Sequence, residues 1–322
     1  MNKRATIGDV ARLAGVSTAT VSRAIHTPDV VSESTREAVQ SAISETGFTL
    51  NIAARTLRQQ RANAVLVLVP DIGNTFFSEI LAGIEKVASA RGQTILIGDT
   101  AGDRTREERF LSYLVNGRAD GALLLNGHLP AGVRGAVVSV SEALEPQEVP
   151  HVGIDNAAAS AVAVRHLKAA GHRRIAHLSG PQNNILTRQR IEGFRAEAGP
   201  DAPVLPGAFT IASGRAAADA VLALDPRPTA VACANDEMAI GLIAGLAAQG
   251  VRVPQDISVI GFDDIAFAEA TIPALTTIRQ PRLAIGERAM TRLISAIEGT
   301  AEAGAEILDV ELVERASVAP PA

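Results

Sequence analysis

At 322 residues the chain exceeds a single small module and fits two or three domains, and a hydrophobic content of 47% supports sizeable cores and excludes global disorder. One cysteine, Cys233, excludes an internal disulfide framework and a multi-cysteine metal site. The net charge of −5 is unevenly spread: residues 1–61 carry +3 and the rest −8, the asymmetry expected when only one end of a molecule touches phosphates.

The first predicted elements are two short helices broken by a sharp turn, over Thr6–Ile25. Thr6 caps the first, with Asp9 three residues on in a capping-box-like pattern that has Asp where Glu or Gln is usual. Ile7, Val10, Ala11 and Ala14 share a face at helical spacing. Gly15 stops that helix and Ser17 caps the second. Val21, Ala24 and Ile25 face inward, leaving Thr18, Ala19, Ser22 and Arg23 outward. This is the helix-turn-helix pattern, although the stretch alone leaves an ordinary helical hairpin open. A third helix follows Ser32, with Ala38, Val39, Ala42 and Ile43 as its buried stripe and Gly47 at its end. Residues 50–61 place Ala53, Ala54 and Leu57 on one face among Arg55, Arg58 and Arg61. A helix of this length is unstable alone in water, so the segment reads as a charged linker or as a helix that forms on DNA.

From Ala64 the texture changes. Ala64–Val69 is a continuous apolar run suited to a parallel strand buried on both faces. Strands are then predicted at Thr94–Gly98, Gly121–Asn126, Ala136–Val140, His151–Ile154, Arg174–Ser179, Thr229–Ala234, Ile257–Phe262, Leu275–Ile278 and Glu306–Val313. Helices alternate with them, around Phe76–Ala88, Arg106–Asn116, Ala157–Ala170, Thr187–Ala198, Ser213–Leu224, Asp236–Gln249 and Leu283–Glu298. Alternation of this kind gives a doubly wound α/β fold, with strands enough for two sheets.

The N-terminus has no apolar signal region, and the apolar runs fall far short of the ~20 residues a membrane span needs, so a cytoplasmic protein without membrane attachment is expected. The six histidines show no metal-ligand spacing, and Gly171, Gly180 and Gly261 form no dinucleotide loop, so neither metal nor cofactor is expected. Cys233, in a strand, reads as a small buried hydrophobe.

Taken together, the chain resembles the lac repressor family of bacterial transcription regulators over nearly its whole length. The segments that carry the likeness are Thr6–Ile25, Val31-Ser-Glu-Ser-Thr-Arg36, Pro70-Asp-Ile-Gly-Asn-Thr-Phe-Phe77, Gly171-His-Arg-Arg-Ile175, Arg188-Gln-Arg-Ile-Glu-Gly-Phe194, Ala234-Asn-Asp-Glu-Met238, Ile260-Gly-Phe-Asp-Asp264 and Leu275-Thr-Thr-Ile-Arg-Gln-Pro281. Each is weak alone; their order and spacing carry the resemblance. It implies an all-α helix-turn-helix headpiece over 1–49, a hinge helix over 50–61, and an effector-binding and dimerisation core over 62–322. The core is expected to hold two doubly wound subdomains similar to those of periplasmic sugar-binding proteins. Their expected bounds are about 62–156 with 281–305, and 157–280 with 306–322. Three strands cross between them, with a ligand cleft between the lobes.

The resemblance implies that Thr18 and Ala19 read bases in the major groove, with Arg23 either a guanine or a phosphate contact. Thr6, Ser17, Thr20, Ser22 and Thr35 are phosphate-contact candidates with capping or packing as their ordinary roles. In the hinge, Leu57 matches the residue that wedges into a minor-groove base step, Ala54 permits close helix pairing, and Asn51 and Arg55 lie at the groove and backbone. The chain has Thr49-Leu50 where the family often has Pro before the hinge Asn.

For the effector, the resemblance places Phe76 and Phe77 as an apolar platform. Asp71, Asp155, Arg190, Asn235, Asp263 and Gln280 would supply polar contacts, with Asn126 and His128 as further possibilities. Arg with Asp suits vicinal hydroxyls, because one donates twice and the other accepts twice. Ordinary roles remain open: Phe76 or Phe77 as core, Asn235-Asp236 as a helix start, Asp264 as a cap. Ser139–Pro150 resembles the family poorly, although that stretch normally lines the first lobe. The implied function is a dimeric repressor of a palindromic operator, controlled by a small metabolite with a sugar or sugar derivative leading. No heptad repeat follows the last strand, so a dimer is expected. The alternative is a cytoplasmic small-molecule binding protein or sugar-processing enzyme with a non-functional helical appendage.

Overall fold

Thr6 opens the headpiece as predicted. In the computed structural model its hydroxyl accepts from the Asp9 amide and the Asp9 carboxylate accepts from the Thr6 amide, completing the capping box of α1 (Ile7–Leu13). The chain is described over residues 5–48, 61–130, 132–144 and 149–321, and divides into two units, Met1–Gln60 and Arg61–Ala322. Gly15 turns at φ +66° and Ser17 caps α2 (Thr18–His26) by accepting from the Thr20 amide at 3.1 Å. A single 3-10 turn at Pro28–Val30 leads to α3 (Glu33–Thr46), closed by Gly47 at φ +62°. Val10, Ala11, Val21, Val39 and Ala42 form the small core.

Two details of α3 differ from expectation. Ala38 is exposed, because the stripe that meets α1 and α2 runs Val39, Ala42, Ile43, Thr46 at i, i+3, i+4, i+7 and leaves position 38 outside it. Ser32 occupies the cap position without capping; its hydroxyl bonds Thr35 Oγ1 at 2.8 Å instead. The predicted hinge, with Asn51, Ala54, Arg55 and Leu57, lies outside the described residues.

The second unit holds two parallel sheets. In the first, β1 (Ala64–Val69) is fully buried between β2 (Thr94–Asp99) and β3 (Gly121–Leu124). Val65, Val67 and Val69 face one core and Leu66 and Leu68 the opposite one, the period-two division that a strand covered on both faces requires. The sheet continues through β4 (Ala136–Val140) and β5 (His151–Ile154). Helices α4 (Phe76–Ala90) and α5 (Arg104–Val115) belong to this lobe.

After α6 (Asn156–Ala169) the second sheet forms from β6 (Ile175–Leu178), β7 (Val204–Leu205), β8 (Ala230–Cys233) and β9 (Ser258–Ile260), in the order β7-β6-β8-β9. Its helices are α7 (Ile185–Ala198), α8 (Ile211–Leu222) and α9 (Asp236–Ala248). The two-residue β7 carried no sequence signal.

The chain then passes through β10 (Thr277–Arg279) and returns to the first lobe as α10 (Arg282–Ile297). Gly286 sets that return: a Cβ there would strike the Ile80 carbonyl of α4, so α4 and α10 meet backbone to backbone. The single strand predicted over Glu306–Val313 is in fact two. β11 (Ala305–Leu308) completes the first sheet beside β5, and β12 (Glu311–Val313) pairs antiparallel with β10. The first lobe therefore reaches Leu308, beyond the expected 305. A run in which Glu306, Asp309 and Glu311 interrupt apolar residues reads as one strand, and nothing in it reveals that its two halves pair with different partners.

Candidate functional site

On the headpiece, Val21 is wholly buried and holds α2 in place, which leaves Ser17, Thr18, Ala19 and Arg23 exposed, with Thr20 and Ser22 half-buried. Thr20 Oγ1 and Ser17 Oγ lie 2.9 Å apart, so both hydroxyls stabilise the start of α2 while keeping an exposed edge. Thr6 is exposed within its capping box, and Thr35 is half-buried against Ser32. An exposed helix start with small polar residues and one Arg can enter a major groove and present side chains to base edges.

In the core, a cavity of about 250 Å³ lies between the lobes. Phe76 and Phe77 both wall it, packed edge to face with centroids 5.1 Å apart. Both are also buried, so the same two side chains belong to the core and wall the cavity. Asn74 accepts from the Phe76 amide at 2.9 Å, and Asp71 folds back on the Gly73 amide at 2.8 Å, which fixes the entry to α4.

Arg190 is 3% exposed and central. Its Nε donates to Asn156 Oδ1 at 3.0 Å, its Nη1 donates to the Ala234 carbonyl, and its Nη2 lies 3.8 Å from Asp263 Oδ1. The guanidinium also stacks over Phe262, 3.9 Å from the ring centroid. Gly193 makes this placement possible, since a Cβ there would collide with the Ala157 carbonyl and push α7 off α6. Burial pushes the Asp263 carboxyl up to about 6, opposed by Arg190 and by the Gln280 amide. Asp263 also sits at φ +114°, an unusual backbone for Asp that aims its carboxyl at Arg190. Asn235 lines the cavity and begins α9 as well: its Oδ1 accepts from the Met238 amide and its Nδ2 donates to the Phe209 carbonyl.

Three predicted contacts stand elsewhere. Gln280 does not line the cavity; it donates to Asp263 at 2.7 Å and holds it from behind. Asp155 is exposed and caps α6 through the Ala158 amide at 2.9 Å. Asn126 lines an adjoining chamber of about 390 Å³, together with His128, which is bonded to Glu107 at 2.6 Å. Asp264 neither caps nor lines the cleft. It joins Arg279 at 2.7 Å and Arg315 at 2.8 Å near the crossing strands, on the rim of a groove of about 510 Å³.

Sequence reasoning missed Glu142, Asn184, Phe209 and Glu237, all of which line the cleft. Glu142 falls in the stretch that resembles the family least. It forms a bond between the lobes, its Oε1 accepting from Asn184 Nδ2 at 3.0 Å, while Asn184 Oδ1 caps α7. Burial pushes the Glu142 carboxyl up to about 7 against the pull of Asn184 and Arg190. Asn184 was readable as a cap before an apolar helical run; Phe209, at φ +59° in a loop, offered no local signal.

A reading helix on one unit and a polar cleft between two α/β lobes on the other define a DNA-binding regulator with an effector-binding core. Residues 6–51 match the bacterial regulatory proteins of the lacI family, and residues 164–318 match a periplasmic binding protein-like domain. The chain is 39% identical to the HTH-type transcriptional repressor CytR of Escherichia coli (strain K12), over 97% of its own length and 96% of that protein. It is 36% identical to the HTH-type transcriptional repressor PurR of Vibrio cholerae serotype O1 (strain M66-2), over 98% of each. Its fold matches the crystal structure of the lac repressor dimer bound to operator and the anti-inducer ONPF, with a TM-score of 0.89 and 27% identity over 98% of this chain and all of that one. The chain belongs to the lacI family of bacterial regulatory proteins. It is a transcription regulator and not an enzyme, and no described helix is long and apolar enough to cross a membrane.

Proposed function

We propose that the protein is a homodimeric repressor that holds a palindromic operator in the cytoplasm and is controlled by a small metabolite bound between its lobes. The observation that carries this is the exposed Ser17–Arg23 face of α2, held on Val21, in a chain whose second unit closes around Arg190. Thr18 and Ala19 would face bases, Arg23 a guanine or phosphate, and Thr6, Ser17, Thr20, Ser22 and Thr35 the backbone. Asn51, Ala54, Arg55 and Leu57 would add the minor-groove contact from paired hinges.

Two lobes joined at crossing strands respond to a ligand by changing their relative angle. The Glu142–Asn184 bond links the walls directly, which supports a closure sensed at that point. A ligand that favours one lobe angle favours one hinge state, and reciprocity makes DNA alter effector affinity by the same factor. Aromatic platforms beside Asp and Arg favour a sugar or sugar derivative: ring faces pack on Phe76 and Phe77 while hydroxyls bond Asp71, Asp263 and Arg190. Dimerisation is supported by exposed apolar side chains on both lobes, Ile97 on the edge strand β2 and Phe267 and Ile272 on the second lobe.

Anisotropy with DNA from upstream of its own gene tests the reading. Binding should be specific and salt-sensitive, Arg23→Ala should cost about 1–3 kcal/mol, and removal of residues 1–60 should abolish it. Absence of specific binding under every ligand condition would overturn it and favour a binding protein with a vestigial headpiece.

A further inference from the structure

The charge lining the cleft is lopsided. Asp71, Glu142, Glu237 and Asp263 all border it, against Arg190 alone among the described lining residues. Arg190 is moreover already engaged, by Asn156, the Ala234 carbonyl, Phe262 and Asp263, so its charge is answered within the protein. Arg104 and Arg188 belong to the adjoining chamber. Burial raises the Glu237 carboxyl, and so do Asp263 and Asp71, which shows that these acids share one field. The cavity is marked as a binding site independently of its charge. Phe76, Phe77 and Phe209 wall it, and the chamber that shares Glu142 and Asn184 with it presents both amide atoms of Asn126, buried and without partners.

We propose that the cleft selects a small molecule that joins an apolar or aromatic face to a protonated nitrogen, an amino sugar being one such molecule, and that it refuses phosphorylated and carboxylated metabolites. The inference rests on the cleft being the effector site. Glu237 is held close to Asp263 and Asp71 at a cost in repulsion, and a cation relieves that cost whereas an anion adds to it. Ionised carboxylates only accept hydrogen bonds, so beside them the ligand's polar edge must donate. Glu142 is faced by Asn184, the cap of α7, by Arg190 within α7 and by Glu107 from α5, and Arg104, His128 and Arg188 line the chamber it borders. A cation entering beside it favours its ionised form, so binding releases protons and tightens as pH rises through neutrality.

Benzylamine, benzyl alcohol and benzoate present the same ring with a cationic, neutral or anionic group. Ligand-observed NMR titrations of the full-length protein at neutral pH should rank them in that order, with benzylamine roughly tenfold tighter than the alcohol and benzoate not bound. Glu237→Gln, a half-buried site tolerant of the change, should narrow the gap between amine and alcohol, and Phe77→Ala should weaken both. Benzoate binding as well as benzylamine, or no response to benzylamine at millimolar concentration, overturns the proposal. Operator anisotropy separates it from the effector reading. Amine selectivity with operator affinity indifferent to every cleft ligand sinks the effector reading alone, whereas an anionic metabolite that shifts operator affinity sinks the selectivity alone.

Discussion

Replacing Arg190 with alanine is expected to destabilise the effector core by about 3–5 kcal/mol and to remove its response to effector in the same step. The side chain is almost wholly enclosed, and its partners come from three separate segments: Asn156 at the start of α6, the Ala234 carbonyl after β8, and Asp263 after β9. Truncation leaves the Asn156 oxygen and a main-chain carbonyl without a donor, and leaves the Asp263 carboxyl buried without its cation. Asp263 already sits near 6 because of burial, and Arg190 is the main group opposing that rise. Without Arg190 its carboxyl moves further up and takes a proton, so the loss should be largest at alkaline pH and smaller in acid. Urea denaturation of the full chain followed by intrinsic fluorescence of Tyr113, which lies in the core unit, measures it. Adding Asp263→Asn to Arg190→Ala should restore part of the stability, because the uncompensated carboxyl is gone. Equal stability of Arg190→Ala and wild type would show that the network contributes nothing.

Glu142→Gln should stabilise the ligand-free core at alkaline pH, by at most about 3 kcal/mol, and leave it unchanged in acid. Burial raises the carboxyl from 4.5 to about 7, so the folded state holds the proton more tightly than the unfolded chain does. Glu142 then carries no penalty well below its unfolded value, loses stability as pH rises through the window between 4.5 and 7, and carries the full penalty above it. Its side chain is partly open to the cavity, which screens the charge and reduces the effect below that limit. Gln keeps an acceptor for Asn184, so the bond between the lobes survives. Asp263 also titrates near 6, but it is common to both proteins, so subtracting their stability curves across pH isolates Glu142. A gain that does not vary with pH would assign the effect to packing.

The cleft's dependence on Glu142 shows where sequence reading stopped. Phe76, Phe77, Arg190, Asn235 and Asp263 lie in segments whose order and spacing resemble a family, and all five meet at one cavity. Glu142 lies where that likeness fails, and nothing near it in the chain shows that it faces Asn184, 42 residues away. Asp155 is expected near the cleft from its strand end, and Gln280 from its place at a crossing strand of the family. Whether such a residue touches a ligand, supports one that does, or caps a helix depends on side-chain direction, which strand position does not specify.

By itself the sequence determined the features that act over a turn or two of chain. These are the capping box at Thr6 and Asp9, the stop at Gly15, the cap at Ser17, the outward set Thr18, Ala19 and Arg23, and the alternation that dictates two α/β lobes. All follow from hydrogen bonds and apolar periodicity among near neighbours. Only the tertiary structure decided that Glu306–Val313 divides between two sheets, that Arg190 is already paired, and that four carboxyls converge on a single cavity. Each of these depends on segments far apart in the chain, brought together by backbone contacts such as those at Gly193 and Gly286, and on burial, which sets how strongly every charge in the cleft is felt.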